Sequence, residues 1–378
     1  VTLPPFSAEQ ARWFRMARSG LVEPFASAEE CAGALVGVQA QILPAAGLAL
    51  WNRTPRLTNQ RFEELLYTHR TLVKLWGQRN TLHLFASSDW PLLHAARTIN
   101  RTWWERSAEN GRAEFADHRH LVEEVAALLR ERKTMGRSDL RASGIDLHDE
   151  LYSSWGGIFA DLVRLGFACH AGRVGSEGRF AHRERWLPHL EWNPPDPETA
   201  NVEIMRRFFA AYGPATLHDF AYWRGVTMED TRRWRAVLSS ELCDVLVDGT
   251  TMLLRGDDLE RAMKAPPPAS KWPVRMVYRF DPYLLAHRDK SWVVDEEFYA
   301  RVWRPAGHIE GVVLAHGRAV AVWRYDRSDT GLAITVVPFK PLTKRVLTAV
   351  ERNARQVAGF FELPLVSFSA ESEAAHAS

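Results

Sequence analysis

Cysteine, lysine and net charge are all in short supply in this chain, and each shortage removes a class of function. Three cysteines, Cys31, Cys169 and Cys243, lie far apart among 378 residues. That spacing offers no zinc site, redox pair or disulfide framework, and it fits a reducing cytoplasm. No apolar run approaches the ~18–20 residues that cross a bilayer, and the opening VTLPPFSAEQARWFRMARSG holds no apolar core of signal-peptide length. Neither membrane insertion nor secretion is expected. Basic and acidic residues nearly cancel, 48 against 46 for a net +2, so total charge announces no polyanionic partner and its distribution has to decide. The standard enzyme signatures are missing too: there is no P-loop, complete Rossmann glycine pattern, HExxH or nucleophile elbow. Fourteen histidines are scattered, and the closest pair, His118 and His120, reads as a solvated helix start rather than a metal site. No metal or cofactor is expected.

What remains is an ordinary folded chain, 46% hydrophobic and 25% charged, long enough for two to four domains at ~100–200 residues each. Ser7 with Gln10, and Ser27 with Glu30, are capping-box signals that open two helices. Leu35, Val38 and Ile42 extend the second at helical spacing, and Thr58 opens a third striped by Phe62, Leu65 and Leu66. Leu72–Trp76 and Thr81–Phe85 then alternate around Gly77-Gln78-Arg79-Asn80 as a hairpin does. Helices followed by a hairpin outline a winged helix, and the outline returns twice. From Ser138 a short helix, a turn at Gly144, a helix over Trp155–Leu165 and strands Phe167–Val174 and Arg179–Trp186 give a second. Helices Glu198–Tyr212, Thr216–Arg224 and Met228–Ser239 with strands Asp244–Val247 and Thr251–Arg255 give a third. Helical stretches Asp89–Glu109 and His118–Arg132 connect the first two. Proline breaks at Pro194–Pro197 and Pro266–Pro268 mark boundaries. The expected division is 1–110, 111–193, 194–265 and 266–378. The last is a small α+β region with β-rich stretches Gly311–Tyr325 and Leu332–Val337, a turn at His316-Gly317 and an amphipathic helix Leu342–Phe361. The fold class is therefore mainly α with β-hairpins, an α+β chain of three tandem winged helices and a closing region.

Arginine supplies most of the positive charge, 41 residues against seven lysines, which suits planar bidentate contacts to phosphate or carboxylate. Arg173, Arg179, His182, Arg183 and Arg185 load the second hairpin, with Trp186 as a stacking surface. Arg232, Arg233 and Arg235 surround Trp234 on the third unit's last helix, the position that enters a major groove in helix-turn-helix proteins. A single cluster of this kind is as well explained by a solvated face beside Glu184, Glu229 and Asp230. Repeated on several winged helices, the pattern points to nucleic acid. Gln39-Ala40-Gln41 stands between Gly37 and Pro44. Residues two apart do not share a helical face, so the two amides converge only where the helix ends or distorts.

Five ordered segments carry a resemblance: Gly37-Val38-Gln39-Ala40-Gln41, LVKLWGQRNTLHLF from Leu72, YGPATLHDFAYWRGV from Tyr212, RFDPYLLAHRD from Arg279 and GVVLAHGRAVAVWR from Gly311. Through them the chain resembles the winged-helix DNA glycosylases of the AlkZ and YcaQ type. The resemblance implies a C-shaped protein of three winged helices that holds duplex DNA, hydrolyses the N-glycosidic bond of N7-alkylated purines and unhooks interstrand crosslinks of the azinomycin B type. Repair of such DNA would give self-resistance to the genotoxin. The Gln-x-Gln motif of the AlkZ branch maps onto Gln39 and Gln41 as catalytic residues; the YcaQ branch has aspartate at the second position. DNA engagement by the second hairpin is carried onto Arg173–Arg183. Lys74 is the only lysine of the first unit after the glutamines, and on its strand it reads as a phosphate contact rather than a Schiff-base nucleophile, so a monofunctional enzyme is expected; a clamp of three winged helices needs no second copy, so a monomer is expected too.

Two other readings compete. A non-catalytic winged-helix regulator would read base edges without changing the DNA. A drug-sequestering protein would use some of the fifteen tryptophans to line a pocket. Asp281, His287, Arg288 and Asp289 fit either a structural turn of satisfied ion pairs or an active site.

Overall fold

The computed structural model describes residues 4–97, 102–153 and 156–370. They form a mixed α/β protein whose chain divides into two compact units, residues 63–201 and residues 1–62 with 202–378. This cut is coarser than the four expected segments and falls elsewhere.

In the discontinuous unit, Ser7 caps the helix Ala8–Arg18 through a complete capping box with Gln10. That helix serves two cores. Ala11 and Phe14 join Phe6, Val245, Val247 and Leu254, while Met16 joins Val277, Tyr283, Leu284, Val312 and Leu314. Burying each of the larger of these side chains, such as Phe14 or Met16, is worth ~1.5–3 kcal/mol. The strand Pro5–Phe6 pairs in parallel with Leu242–Val247, which forms the expected hairpin with Thr250–Arg255. The helices before it, Leu217–Arg224 and Met228–Val237, are capped by Thr216 and Thr227. Arg275–Val277, Gly311–Ala315, Arg318–Ser328 and Gly331–Pro338 lie side by side antiparallel, and Leu365–Ala370 adds in parallel at the far edge. The helix Lys344–Phe360 buries Val346, Val350, Ala354 and Val357 on one face, the 3–4 residue spacing of an amphipathic helix.

In the 63–201 unit, Leu72–Trp76 pairs with Leu82–Ala86 from Leu72↔Ala86 to Trp76↔Leu82. A second hairpin, Ala168–Val174 with Glu177–His182, joins the first through the pair Lys74↔His170. Val73, Leu75, Phe85, Val125, Leu129, Phe159 and Leu162 share its core, to which the helices His118–Glu131 and Gly157–Arg164 contribute.

Several expectations need correction. The second helix ends at Ala34, and Val38–Gln39 is a short strand. A helix that the sequence reading missed, Leu43–Trp51, follows with Pro44 in its first turn, where proline costs no hydrogen bond. The stretch Asp89–Glu109 contains the separate helices Trp90–Ala95 and Trp103–Glu109, with residues 98–101 between them outside the described set, as is the predicted helix start at Trp155. The second hairpin's last strand stops at His182, and Arg183–Trp186 is a helical turn. No described helix is long and apolar enough to cross a membrane.

Candidate catalytic site

Gln39 is delivered by an unusual helix end. Ser27 Oγ accepts from Glu30 N at 3.1 Å and opens the helix Ala28–Ala34. At the other end Val36 N donates to Gly33 O at 3.2 Å and Gly37 N to Ala32 O at 2.7 Å, the paired bonds of a Schellman motif. Its left-handed position, normally glycine, is held here by Val36 at φ 54, followed by Gly37 at φ 86. A β-branched residue there costs ~1–2 kcal/mol and persists because Val36 is buried in packing. Such strain gathers at functional sites. The turn throws the chain directly into Val38–Gln39.

Gln39 is only 7% exposed, and its Oε1 has no hydrogen-bond partner among the described residues. A buried acceptor left this way costs ~1–3 kcal/mol. Gln41 is exposed, just before the helix Leu43–Trp51. Because the segment at Gln39 is extended, the objection a helix raises to two amides two residues apart does not apply.

Behind this turn lies a buried bracket built from two of the sequence words. Tyr212 Oη donates to Leu35 O at 2.8 Å, one residue before the strained turn. His287 Nε2 reaches Tyr212 O at 3.0 Å, and Arg15 donates to Pro214 O through Nη2 at 2.6 Å and Nε at 3.1 Å. Arg288 N donates to Asp219 Oδ1 at 2.7 Å. Below them Arg53 and Asp281 form a fully buried two-pronged pair at 2.8 and 2.6 Å. Arg53 also donates to Ser19 O and Ala49 O, and Asp281 accepts from Tyr283 N. Burial alone would depress the Arg53 guanidinium, but the charge and hydrogen bonds of Asp281 outweigh it and raise its pKa. Burial drives His287 well below its ordinary value, with Arg15 and Lys290 adding repulsion, so the ring is neutral. Asp281 and His287 are thus engaged inward as framework. Tyr212 and Arg53 were not among the residues expected to matter; the Tyr-Gly-Pro word was the available signal for the first, and nothing local in the sequence marks the second.

The cationic residues divide. Arg173 is exposed at the hairpin tip, where Nη2 donates to Ser176 O at 2.7 Å. Arg232 is exposed on Met228–Val237, and Arg233 beside it pairs with Asp230 at 2.8 Å. Arg179 is turned to Asp139 at 2.5 Å and to Thr134 O. Arg183 donates to Gly166 O and lies 3.7 Å from the centre of the Trp192 ring. His182 is buried, caps the turn Arg183–Trp186 through Nδ1 and is lowered by burial. Trp186 is buried rather than a free stacking surface, with Arg70 over its ring at 4.1 Å. His118, expected in solvent, is buried against Asp161 at 2.9 Å. Among the described residues no three His, Cys, Asp or Glu are grouped to hold a metal. Burial pushes the Cys31 thiol up to about 12, far from a reactive thiolate.

The chain matches the family described as DNA glycosylase AlkZ-like over residues 32–360, a span that contains all five sequence words. It is 29% identical over 365 residues to the interstrand DNA cross-link repair glycosylase of Streptomyces sahachiroi, covering 90% of this chain and 93% of that protein. The fold matches the solved structure of the Streptomyces sahachiroi DNA glycosylase AlkZ with a TM-score of 0.80 at 26% identity, covering 97% of this chain and 100% of that one.

Proposed function

The chain belongs to the AlkZ-like DNA glycosylase family, and from that premise we propose that it releases N7-alkylated purines from duplex DNA and unhooks interstrand crosslinks of the azinomycin B type, giving self-resistance. The carrying observation is the buried Gln39 amide with an unpartnered Oε1, delivered by a strained turn and followed two residues on by Gln41.

Alkylation at N7 makes the purine cationic. When the bond from C1′ to N9 breaks, its electron pair neutralises the base, which leaves without needing a strong acid. The enzyme's task is to place one water and to tolerate a sugar with oxocarbenium character. Gln41 holds that water at the anomeric carbon, and Gln39 Oε1 accepts a hydrogen bond from it while remaining a neutral amide. The water oxygen bonds to C1′, its excess proton passes to solvent, and an abasic site and free base remain. No metal, cofactor or lysine imine takes part, so the enzyme is monofunctional.

The three helix-and-hairpin units, 1–110, 111–193 and 194–265, act as winged helices of a monomer that also carries the region 266–378 and works in the cytoplasm. Arg173 and Arg232, both exposed, meet the phosphate backbone with Arg233. Arg179, His182 and Arg183 shape the hairpin that presents Arg173. An open groove suits a crosslinked nucleotide, which cannot swing fully out of the duplex. A non-catalytic regulator does not account for membership of a glycosylase family.

The test is a duplex carrying one N7-methylguanine, followed by alkaline cleavage and gel analysis. Wild type releases the base; Gln39→Ala and Gln41→Ala bind the duplex and release little. If no base is released from this duplex or from an azinomycin-crosslinked one, the proposal fails.

A further inference from the structure

Val73 and Leu75 enter the core of the 63–201 unit, so Lys74 between them leaves the opposite side of its strand. It lies across from Leu84 on one neighbour and His170 on the other and is half-buried. The surroundings are aromatic and basic. The His170 ring sits 5.1 Å from Trp76 and 4.6 Å from Phe180. The ring of Tyr67 covers Gly172, coming within 3.7 Å of where a Cβ would stand, and Arg173 follows.

The titratable and charged groups on the elements packed around this strand are Glu63, Glu64 and Tyr67 before it, His83 on Leu82–Ala86, Cys169, His170 and Arg173 on Ala168–Val174, and Asp161 and Arg164 on Gly157–Arg164. Asp161 is taken by His118 and Arg164, and Glu63 acts on Tyr67. The charge that acts on Lys74 is that of Arg173, and it repels. His170 is neutral, and its Nε2 has no partner among the described residues. Lys74 is thus half-buried and repelled by the exposed Arg173, a cost to its charged form that burial deepens. An anion placed between them reverses the sign.

Resting on the DNA reading above, we propose that Lys74 and Arg173 together seat one backbone phosphate of duplex DNA, the phosphate supplying the counter-charge that the fold withholds. A chemical signature follows. Burial first, and Arg173 second, pull the free ammonium down to about 8, so near neutral pH part of the enzyme holds a neutral amine. A phosphate acts the other way, so DNA binding takes up a proton, and affinity weakens as pH rises above about 8. An arginine at the same place stays charged throughout.

The experiment is fluorescence anisotropy with an undamaged duplex, from pH 6.5 to 9.5 and across a salt series, for wild type, Lys74→Arg and Lys74→Met. Wild type should lose affinity by up to about tenfold per pH unit above its free value, the limit for one linked proton. Lys74→Arg should bind like wild type at neutral pH and lose that slope. Lys74→Met should bind about 5–10-fold more weakly, with its salt slope reduced by ~1. Wild-type affinity and salt slope in Lys74→Met, or an unchanged pH slope in Lys74→Arg, overturns the site; if the methionine variant does not fold, the arginine variant decides. If wild type releases base while Lys74→Met binds unchanged, the site alone is wrong. If wild type binds no DNA at all, the site and the DNA reading fall together.

Discussion

Tyr212→Phe isolates the mechanical link between the bracket and the glutamines. The change removes one oxygen and leaves the buried ring in place against Phe208 and Trp223. What is lost is the 2.8 Å bond to Leu35 O. A net hydrogen bond is worth ~0.5–1.5 kcal/mol, and stranding the Leu35 carbonyl raises the loss to about 1–2 kcal/mol. In a protein of this size that lowers the melting temperature by a few degrees. The effect on chemistry is expected to be larger in proportion. Leu35 anchors the end of a turn already strained at Val36, and a misplacement of ~1 Å at a reacting group costs up to ~10²-fold. Single-turnover base release from an N7-methylguanine duplex should slow 10- to 100-fold, with duplex affinity within about twofold of wild type. A melting temperature that falls while the single-turnover rate stays at wild type would refute the link, leaving Tyr212 a purely structural contact.

Arg53→Met removes one partner of a fully buried ion pair and leaves Asp281 charged in the interior, a loss of about 3–5 kcal/mol; urea unfolding should show it, and adding Asp281→Leu should restore part of it. Acid should also destabilise the fold. His170 and His287 are held well below their ordinary 6.5 by burial, so below that pH the unfolded chain binds protons the folded chain refuses, and stability falls as pH drops. The urea midpoint should decline from pH 7 to 5, and His287→Asn should flatten the decline.

Much of the local structure was legible in the sequence, because it rests on local chemistry. Ser7, Ser27, Thr216 and Thr227 cap the helices they precede, and the strands Leu72–Trp76 and Leu82–Ala86 flank the polar segment Gly77–Asn80 that marked their hairpin. The errors arose where local pattern and tertiary demand differ. Leu35, Val38 and Ile42 have helical spacing by coincidence, since a left-handed Val36 stops the helix where sequence gives no glycine. The helix Leu43–Trp51 is almost wholly apolar and has no side-chain cap, so no periodicity announced it. The cationic hairpin could be listed but not oriented: Arg179 is spoken for by Asp139, forty residues upstream. The glutamine pair was visible as a word, whereas the orphaned Oε1 that makes Gln39 chemically interesting is a property of burial.

The strand Pro5–Phe6 has a consequence for synthesis. Its pairing partner, Leu242–Val247, and the other wall of its core, Leu254, are made long after it. At ~5–20 residues per second, the first 62 residues wait roughly 10–40 s on the ribosome for residues up to 255. Meanwhile the inserted unit, which has its own core, can begin to collapse. The amino-terminal helix, apolar on the faces it later buries, is therefore a nascent segment in need of shielding, and the hairpin Leu242–Arg255 covers only its Ala11 and Phe14 side, the Met16 side waiting for Val277 and Leu314.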